Sequence, residues 1–413
     1  MSLQFITGNS GNGKTKYLFN RIVKEAKANP RDNYLVIVPE QFTMQTQRQL
    51  VDLSENKAIM NIDVLSFKRL AYRVFDELGI TNLTVLEETG KNLVLRKLAA
   101  QEADKLGVIG RNLNRIGYIS EVKSLLSELV QYNISPEELG RYIASGMLSD
   151  TLSDKLKDVL VLYEAFEKFM QDKYITAEEI LNVLSNVAEE SAILRNSVIA
   201  FDEFTGFTPI QNQLIKKLFV ISKKIYVTLT IDCREDIFKS RGMQELFDMP
   251  KRTVKSLTEM AAFYGIEVEE PIILDKNYRL AENEELSFME QQLFRKRRGS
   301  FKKAPKHIHI DCLRDPKQEL TKIARRINEL VRNENLRYRD IAIVTGDVNI
   351  YAGYVREIFD KYNIPYFIDA TQEILFHPFI EFIRSIPDIA AQNFSADAVF
   401  RFLRCGFSEL LDS

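Results

Sequence analysis

A β-prone segment that runs directly into a glycine-rich loop and then into a helical pattern constrains the fold of this chain most strongly. The loop reads GNSGNGKT, a full match to the pattern GxxxxGK(S/T). Backbone N–H groups of such a loop, together with the N-terminus of the following helix, can hold an anionic phosphate. The predicted phosphate-binding loop consists of Gly8, Asn9, Ser10, Gly11, Asn12, Gly13, Lys14 and Thr15.

Two side chains of this loop have distinct expected roles. Lys14 is expected to reach the β- and γ-phosphates of a nucleotide, and the Thr15 hydroxyl is expected to bind Mg²⁺. ATP and Mg²⁺ are therefore the expected cofactors. A plain glycine turn is the alternative, but the strand pattern before the loop and the helical pattern after it favour phosphate binding.

Short β-prone runs alternate with helical patterns on both sides of the sequence midpoint. The runs cover residues 3–7, 33–39, 62–66, 197–201 and 224–230. Alternation at this spacing predicts a parallel sheet with right-handed crossovers. We therefore expect an α/β fold whose centre is a P-loop NTPase (RecA-like) parallel sheet.

The pattern between these runs predicts how the chain is organised. Residues 84–190 are almost wholly helical in pattern and are expected to form an all-helical insertion. This insertion would divide the first RecA-like domain into residues 1–83 and 191–294. The basic run RKRRGSFKKAPK, residues 295–306, is expected to be a solvated linker, with phosphate contact as the alternative.

A new β/α pattern follows the basic run. Strands are predicted at residues 307–311 and 341–345, and helices at about 318–332 and 351–362. Residues 307–413 therefore resemble the start of a second RecA-like domain that stops before its sheet could close. The chain is accordingly expected to be part of a longer polypeptide.

Composition bounds the environment in which the chain works. A net charge of −2 excludes a general polycation, so nucleic-acid binding would need a local surface or a partner subunit. No apolar run reaches the roughly 20 residues of a membrane helix, and no signal peptide is recognisable. The widely spaced Cys233, Cys312 and Cys405 favour a reducing compartment. We expect a cytoplasmic protein without a membrane partner.

Two carboxylates and one arginine are candidates for chemistry at the phosphates. Asp202 and Glu203 come directly after a predicted strand, where ligands bind in open α/β sheets. Asp202 is expected to hold Mg²⁺, and Glu203 is expected to act as the base that orients water. Arg279 ends the segment LDKNYR and is a candidate to contact the γ-phosphate, with a solvated surface arginine as the alternative.

Several of these segments, in this order, resemble superfamily 1 helicases of the UvrD type. Asn277-Tyr278-Arg279 resembles the family's NYR motif, and LSFKRLA resembles its TFHxLA segment. The runs RDIAIV and NIPY resemble the opening of its second domain. VPEQFT lies where the family's second strand leads into a loop that contacts DNA. The resemblance implies DNA contacts at Gln41, Thr43, Ser66 and Phe67.

For Phe67 two interpretations remain open at this point. The resemblance implies that its ring stacks on a base, which an aromatic face can do for any base. A phenylalanine at a strand end is equally expected to belong to the core.

The long runs VPEQFT, VLSFKRLAYRVF and FDEFTGFTP resemble more specifically the B subunit of the AddAB (RexAB) helicase–nuclease of bacterial recombination. This resemblance implies DNA as substrate, both single strands and duplex ends. It also implies a heterodimer with an AddA-type helicase–nuclease subunit that processes double-strand breaks. A 4Fe–4S cluster is implied only for a C-terminal nuclease domain, which nothing in this chain matches.

Two departures from active UvrD-type motors bear on mechanism. Thr205 and Glu235 stand where those enzymes carry glutamines that couple the γ-phosphate to movement along DNA. The resemblance therefore implies a weak or inactive motor in this chain. A small-molecule kinase or phosphotransferase, and a non-hydrolysing DNA-binding scaffold, remain alternatives.

Overall fold

A computed structural model shows how the chain folds. It describes residues 1–81, 84–110, 117–146, 148–171, 174–295, 299–369, 374 and 377–407. The chain divides into two compact units, Met1–His307 and Ile308–Ser413. No helix in these described ranges is long and apolar enough to cross a bilayer.

The first unit is built around a parallel sheet. Its strands are β1 (Ser2–Gly8), β2 (Tyr34–Ile37), β3 (Ile62–Leu65), β4 (Val85–Leu86), β5 (Ile175–Thr176), β6 (Val198–Phe201), β7 (Lys224–Thr230), β8 (Glu267–Val268) and β9 (Ile272–Leu274). The main sheet has the order β3-β2-β6-β7-β1, and β8 and β9 both pair with β1. Every pairing is parallel. The predicted α/β class and parallel sheet are confirmed.

Helices cover both faces of this sheet. The helices of the first unit are α1 (Lys14–Ala28), α2 (Thr43–Leu53), α3 (Phe67–Leu78), α4 (Glu88–Gln101), α5 (Tyr118–Gln131), α6 (Pro136–Ala144), α7 (Asp150–Met170), α8 (Ile180–Val187), α9 (Pro209–Ile221), α10 (Asp248–Phe263) and α11 (Glu284–Gln292). Side chains alternate between the faces along each strand. Leu35 belongs to the hydrophobic core that includes residues of α3, α8, α9 and α10, whereas Val36 belongs to the core that includes residues of α1 and α2. Burial on both faces explains why these strands read as continuous apolar runs.

The region between β3 and β6 is helical but not entirely so. Helices α4 to α7 share a hydrophobic core of their own. The expectation of an all-helical insertion is corrected by β4 and β5, which pair with each other in parallel. This short pairing brings together the segment that precedes α4 and the segment that follows α7. Helix α8 lies within residues 84–190 but packs against α3 and α9, beside the main sheet.

The second unit contains four helices within its described residues. They are α12 (Pro316–Asn333), α13 (Val348–Lys361), α14 (Pro378–Ala391) and α15 (Ala396–Arg404). The helices predicted near 318–332 and 351–362 are confirmed as α12 and α13, whose apolar faces pack together. The strands predicted at 307–311 and 341–345 are wrong for the described part of the chain, where neither segment pairs with another strand.

A physical reason for this difference is visible in the exposure of the two segments. A strand requires a hydrogen-bonded neighbour, and its apolar side chains require cover. Ile310 and Val344 are each 93% exposed. The apolar pattern is present, but no strand of the described chain lies beside these segments.

Candidate phosphate-binding cleft

The loop Gly8–Thr15 connects β1 to α1 and packs closely against a later segment of the chain. A Cβ on Gly8 would lie 2.5 Å from the carbonyl oxygen of Leu274, and a Cβ on Gly11 would lie 2.8 Å from Cβ of Arg279. Gly11 also has φ +88°, a left-handed conformation that favours glycine. Glycine is therefore required here both for backbone conformation and for close approach.

Lys14, the first residue of α1, extends back over the loop. Its Nζ donates hydrogen bonds to the carbonyl oxygens of Gly8 (3.1 Å) and Asn9 (3.0 Å). Burial lowers the pKa of Lys14, an effect that the nearby carboxylates of Asp202 and Glu203 oppose. A phosphate in the loop would compete with these two carbonyls for the ammonium protons.

Asp202 lies at the end of β6 and is only 1% exposed. The Thr228 hydroxyl donates a hydrogen bond to its Oδ1. Its Oδ2 is buried and has no hydrogen-bond partner in the described part of the chain. Burial raises the pKa of Asp202, since a desolvated carboxylate is costly. A buried carboxylate oxygen without a partner fits a cation ligand such as Mg²⁺.

Glu203 follows directly and has φ +64°, which is uncommon for a residue other than glycine. The Thr15 hydroxyl donates to its Oε1 at 3.3 Å. Thr15 is separated from the adjacent Asp202 and Glu203 by almost half of the sequence, yet its hydroxyl lies beside their two carboxylates. This set matches the oxygen preference of Mg²⁺.

The segment around Arg279 is attached to the phosphate loop by its backbone. The amides of Tyr278 and Arg279 donate to the Gly11 carbonyl at 3.0 and 3.3 Å. The Asn277 side chain donates to the Ser10 carbonyl at 2.9 Å. These bonds place the exposed Arg279 side chain at the loop.

A cleft of about 680 Å³ brings these groups together within the first unit. It is lined by the loop, Asp202, Glu203 and Arg279, and also by the Tyr278 ring and by α2 through Gln49 and Asp52. Tyr278 belongs to the NYR segment, so the sequence already indicated that it lies near the candidate site. No sequence signal pointed to Gln49 or Asp52, because their place depends on how α2 packs.

The loop after β7 lies outside this cleft. Glu235 forms an ion pair with Lys251 of α10 at 2.6 Å, and Lys251 is 3% exposed. Asp232 is held by Arg234 and Arg295. The Glu235 side chain therefore binds Lys251 of α10 and does not reach the candidate phosphate site.

Comparison with known proteins identifies the family. A family model described as "ADDB, N-terminal" matches residues 5–290, more than half of the chain. The chain belongs to the AddB N-terminal family. Its resemblance to AddAB-type B subunits is thereby confirmed.

Curated relatives of this AddB-family chain are named as the B subunit of an ATP-dependent helicase/deoxyribonuclease. Those from Lachnoclostridium phytofermentans, Caldanaerobacter subterraneus subsp. tengcongensis and Clostridium acetobutylicum are 38%, 34% and 33% identical to it. Each alignment covers 99% of this chain but only 36%, 35% and 35% of the relative. The chain thus spans about a third of the length of these relatives.

The four residues with an implied DNA role lie together at the ends of β2 and β3, but only Gln41 is exposed. Thr43 is buried, and its hydroxyl donates to the Glu40 carbonyl at 3.0 Å. Ser66 is buried, caps α3 through the Arg69 amide and donates to the Glu40 carboxylate. To donate a hydrogen bond to DNA, either hydroxyl would first have to give up the bond that it donates to Glu40.

Phe67 belongs to the core in this structure. It is 7% exposed and packs against the rings of Phe201, Phe204 and Phe207, at centroid distances of 5.8, 5.6 and 6.3 Å. The structure therefore matches the core interpretation of Phe67, and its stacking on DNA stays a prediction. A stacking role would require the ring to leave the aromatic cluster.

The basic linker also differs from expectation at its first residue. Arg295 is not solvated: its side chain is 9% exposed and pairs with Asp232 and Glu290. Residues 296–298 of the predicted linker lie outside the described residues.

Proposed function

We propose that this chain binds ATP–Mg²⁺ on a RecA-like sheet, as the N-terminal part of the B subunit of an AddAB-type helicase–nuclease. One observation carries the proposal. The phosphate loop, the adjacent Asp202 and Glu203, and Arg279 come from three separate segments of the chain and line a single cleft. That combination of loop amides, lysine, carboxylates and arginine is what nucleotide phosphates and their metal require.

The residues of the cleft have distinct roles in this proposal. The loop amides and Lys14 hold the phosphates, and Thr15 and Asp202 hold Mg²⁺, which neutralises phosphate charge when bound. Glu203 orients a water molecule for attack. Arg279 contacts the γ-phosphate, and the hydrogen bond from its backbone amide to the Gly11 carbonyl keeps it beside the loop.

A weak motor, or a scaffold that holds ATP without hydrolysing it, is the second candidate. The Glu235–Lys251 ion pair favours this candidate. Glu235 stands where active motors carry a coupling glutamine, and the ion pair holds its side chain outside the cleft. Thr205 lines the cleft but carries no amide. Neither Thr205 nor Glu235 therefore offers the side-chain amide that a glutamine would provide at its position.

The DNA and partner roles rest on the relatives' names. Those relatives are called helicase/deoxyribonuclease subunits, which supports a DNA substrate and a multisubunit enzyme. We propose an AddA-type partner and a function in cytoplasmic double-strand break repair, with Gln41 as an exposed DNA contact. An iron–sulfur cluster is proposed only for the remainder of such a subunit. The described residues contain no group of three or more His, Cys, Asp or Glu arranged to hold a metal.

Phosphate release by the full-length protein, in complex with an AddA-type partner whose own ATP site is inactivated, tests this proposal. If the cleft hydrolyses ATP, Glu203→Gln and Arg279→Ala should each slow DNA-stimulated release by at least ~100-fold, the usual contribution of such groups. Arg31→Ala, an exposed arginine without a hydrogen bond or ion pair among the described residues, is the control. ATP binding without any release would support the scaffold, and transfer of phosphate to a small molecule would support a kinase.

A further inference from the structure

Asn9, the second residue of the phosphate loop, is bonded in three directions. Its carbonyl accepts a hydrogen bond from Lys14 Nζ at 3.0 Å. Its side-chain Oδ1 accepts from the Cys233 amide at 2.9 Å, and its Nδ2 donates to Glu290 Oε1 at 2.9 Å. Asn9 is buried. One residue thus joins the candidate phosphate site to the loop after β7 and to α11.

Glu290 lies near the C-terminal end of α11 and is itself part of a buried charge network. Arg295 donates to Glu290 at 3.3 Å and to Asp232 at 2.9 Å, and its guanidinium lies over the Phe247 ring at 4.7 Å. A buried arginine with two carboxylate partners has few alternative positions. The network therefore fixes the C-terminal end of α11 against the phosphate loop.

The opposite end of α11 holds the end of the basic segment. The buried carboxylate of Glu285 accepts the backbone amides of Lys306 at 3.0 Å and His307 at 3.1 Å. Glu284 forms an ion pair with Lys303. One short helix therefore contacts the phosphate loop at one end and residues 303–307 at the other.

A nucleotide would act directly on this connection. Phosphates would draw the Lys14 ammonium away from the Asn9 carbonyl, which changes the bonding of the residue that Glu290 holds. Phosphates held by the loop amides would also restrain the loop, and the continuous helix α11 would carry that restraint from Glu290 to Glu285. We propose that Asn9 and Glu290 are positioning residues through which α11 transmits nucleotide occupancy to the segment Lys303–His307. This inference rests on the nucleotide binding proposed above.

Hydrogen exchange at the Lys306 and His307 amides measures the transmitted effect directly. In the full-length protein within its complex, saturating Mg–ATPγS should slow exchange at these two amides by at least ~3-fold, since loop ordering stabilises the Glu285 contact. Glu290→Ala should abolish this slowing, although nucleotide binding persists. Glu290→Gln should retain part of it, because its amide oxygen can still accept from Asn9.

Glu282→Ala provides the matched control, since Glu282 is exposed and has no hydrogen bond or ion pair among the described residues. It should behave as wild type. A fluorescent ATP analogue measures nucleotide binding in the same samples. Suppose that wild type binds nucleotide but exchange at Lys306 and His307 does not change, or changes equally in Glu290→Ala. The inference is then overturned, whereas the proposed nucleotide binding stands. If wild type binds no nucleotide, the proposed function fails and the inference fails with it.

Discussion

Asp202 and Asp232 follow neighbouring parallel strands at the same edge of the sheet, and each is 1% exposed. Their surroundings are opposite. Asp202 lies beside two hydroxyls, those of Thr228 and Thr15, and its Oδ2 has no hydrogen bond of ordinary geometry among the described residues. Burial raises its pKa. Burial alone would also raise the pKa of Asp232, but hydrogen bonds from Arg234 and Arg295 outweigh that effect and hold the pKa well below its ordinary value.

This difference shows that burial and strand position do not by themselves make a functional carboxylate. Asp232 is satisfied by arginines from within the chain and serves to hold a loop. Asp202 retains capacity for a cation, at the cost of a desolvated charge, and it faces the cleft. Such unsatisfied groups are characteristic of sites whose missing partner is a ligand.

Asp232→Asn should destabilise the fold more than any other proposed substitution, because Asp232 pairs with Arg234 and Arg295. Removing the charge would leave the largely buried Arg295 with only Glu290 as its carboxylate partner among the described residues. We expect the free energy of unfolding to fall by about 3 kcal/mol, the scale for breaking a buried ion pair. Urea denaturation followed by circular dichroism measures it, and a loss below ~1 kcal/mol would contradict the structural role.

The pH dependence of Mg²⁺-supported ATP binding should show whether the Asp202 carboxylate takes part in that binding. Because the pKa of Asp202 is raised, the neutral carboxyl persists to a higher pH than for an ordinary aspartate. Affinity should therefore fall as pH is lowered toward that pKa, by no more than ~10-fold per pH unit because one proton is involved. Calorimetric titrations across pH check this, and the same slope in Asp202→Asn would rule out Asp202 as the titrating group.

Asp202→Asn should have the smallest effect on stability and the opposite sign. Replacing a desolvated carboxylate with a neutral amide should raise the free energy of unfolding of the nucleotide-free protein by up to ~1 kcal/mol. The melting temperature without Mg²⁺ is the measurement. A clear drop in melting temperature would show that the carboxylate is a structural partner like Asp232.

Much of the first unit could be predicted from the sequence, because local patterns determine it. The strands around 33–39 and 224–230 are apolar runs bounded by turn signals, and the structure has them at Tyr34–Ile37 and Lys224–Thr230. The juxtaposition of Asp202 with the loop followed from the general rule that ligands bind at the carboxyl edge of such sheets.

What could not be predicted depends on long-range packing. Nothing in the local sequence shows that Lys251 neutralises Glu235, or that Arg295 turns inward to Asp232 instead of into solvent. The strand pattern at 341–345 failed for the same reason, since pairing depends on a neighbour far away in the chain. Phe67 matched two interpretations equally until its aromatic neighbours were placed.

If the cleft at Gly8–Thr15 binds nucleotide phosphates, replacing Lys14 should weaken that binding. Calorimetric titration measures the binding of Mg–ATP to wild type, Lys14→Ala and Lys24→Ala. Lys24 is an exposed lysine on the same helix, so the two substitutions remove a charge at two positions of α1. We predict a Kd at least ~10-fold higher for Lys14→Ala, the scale of a charge-assisted hydrogen bond, and an unchanged Kd for Lys24→Ala. Equal affinity in all three folded proteins would contradict the account.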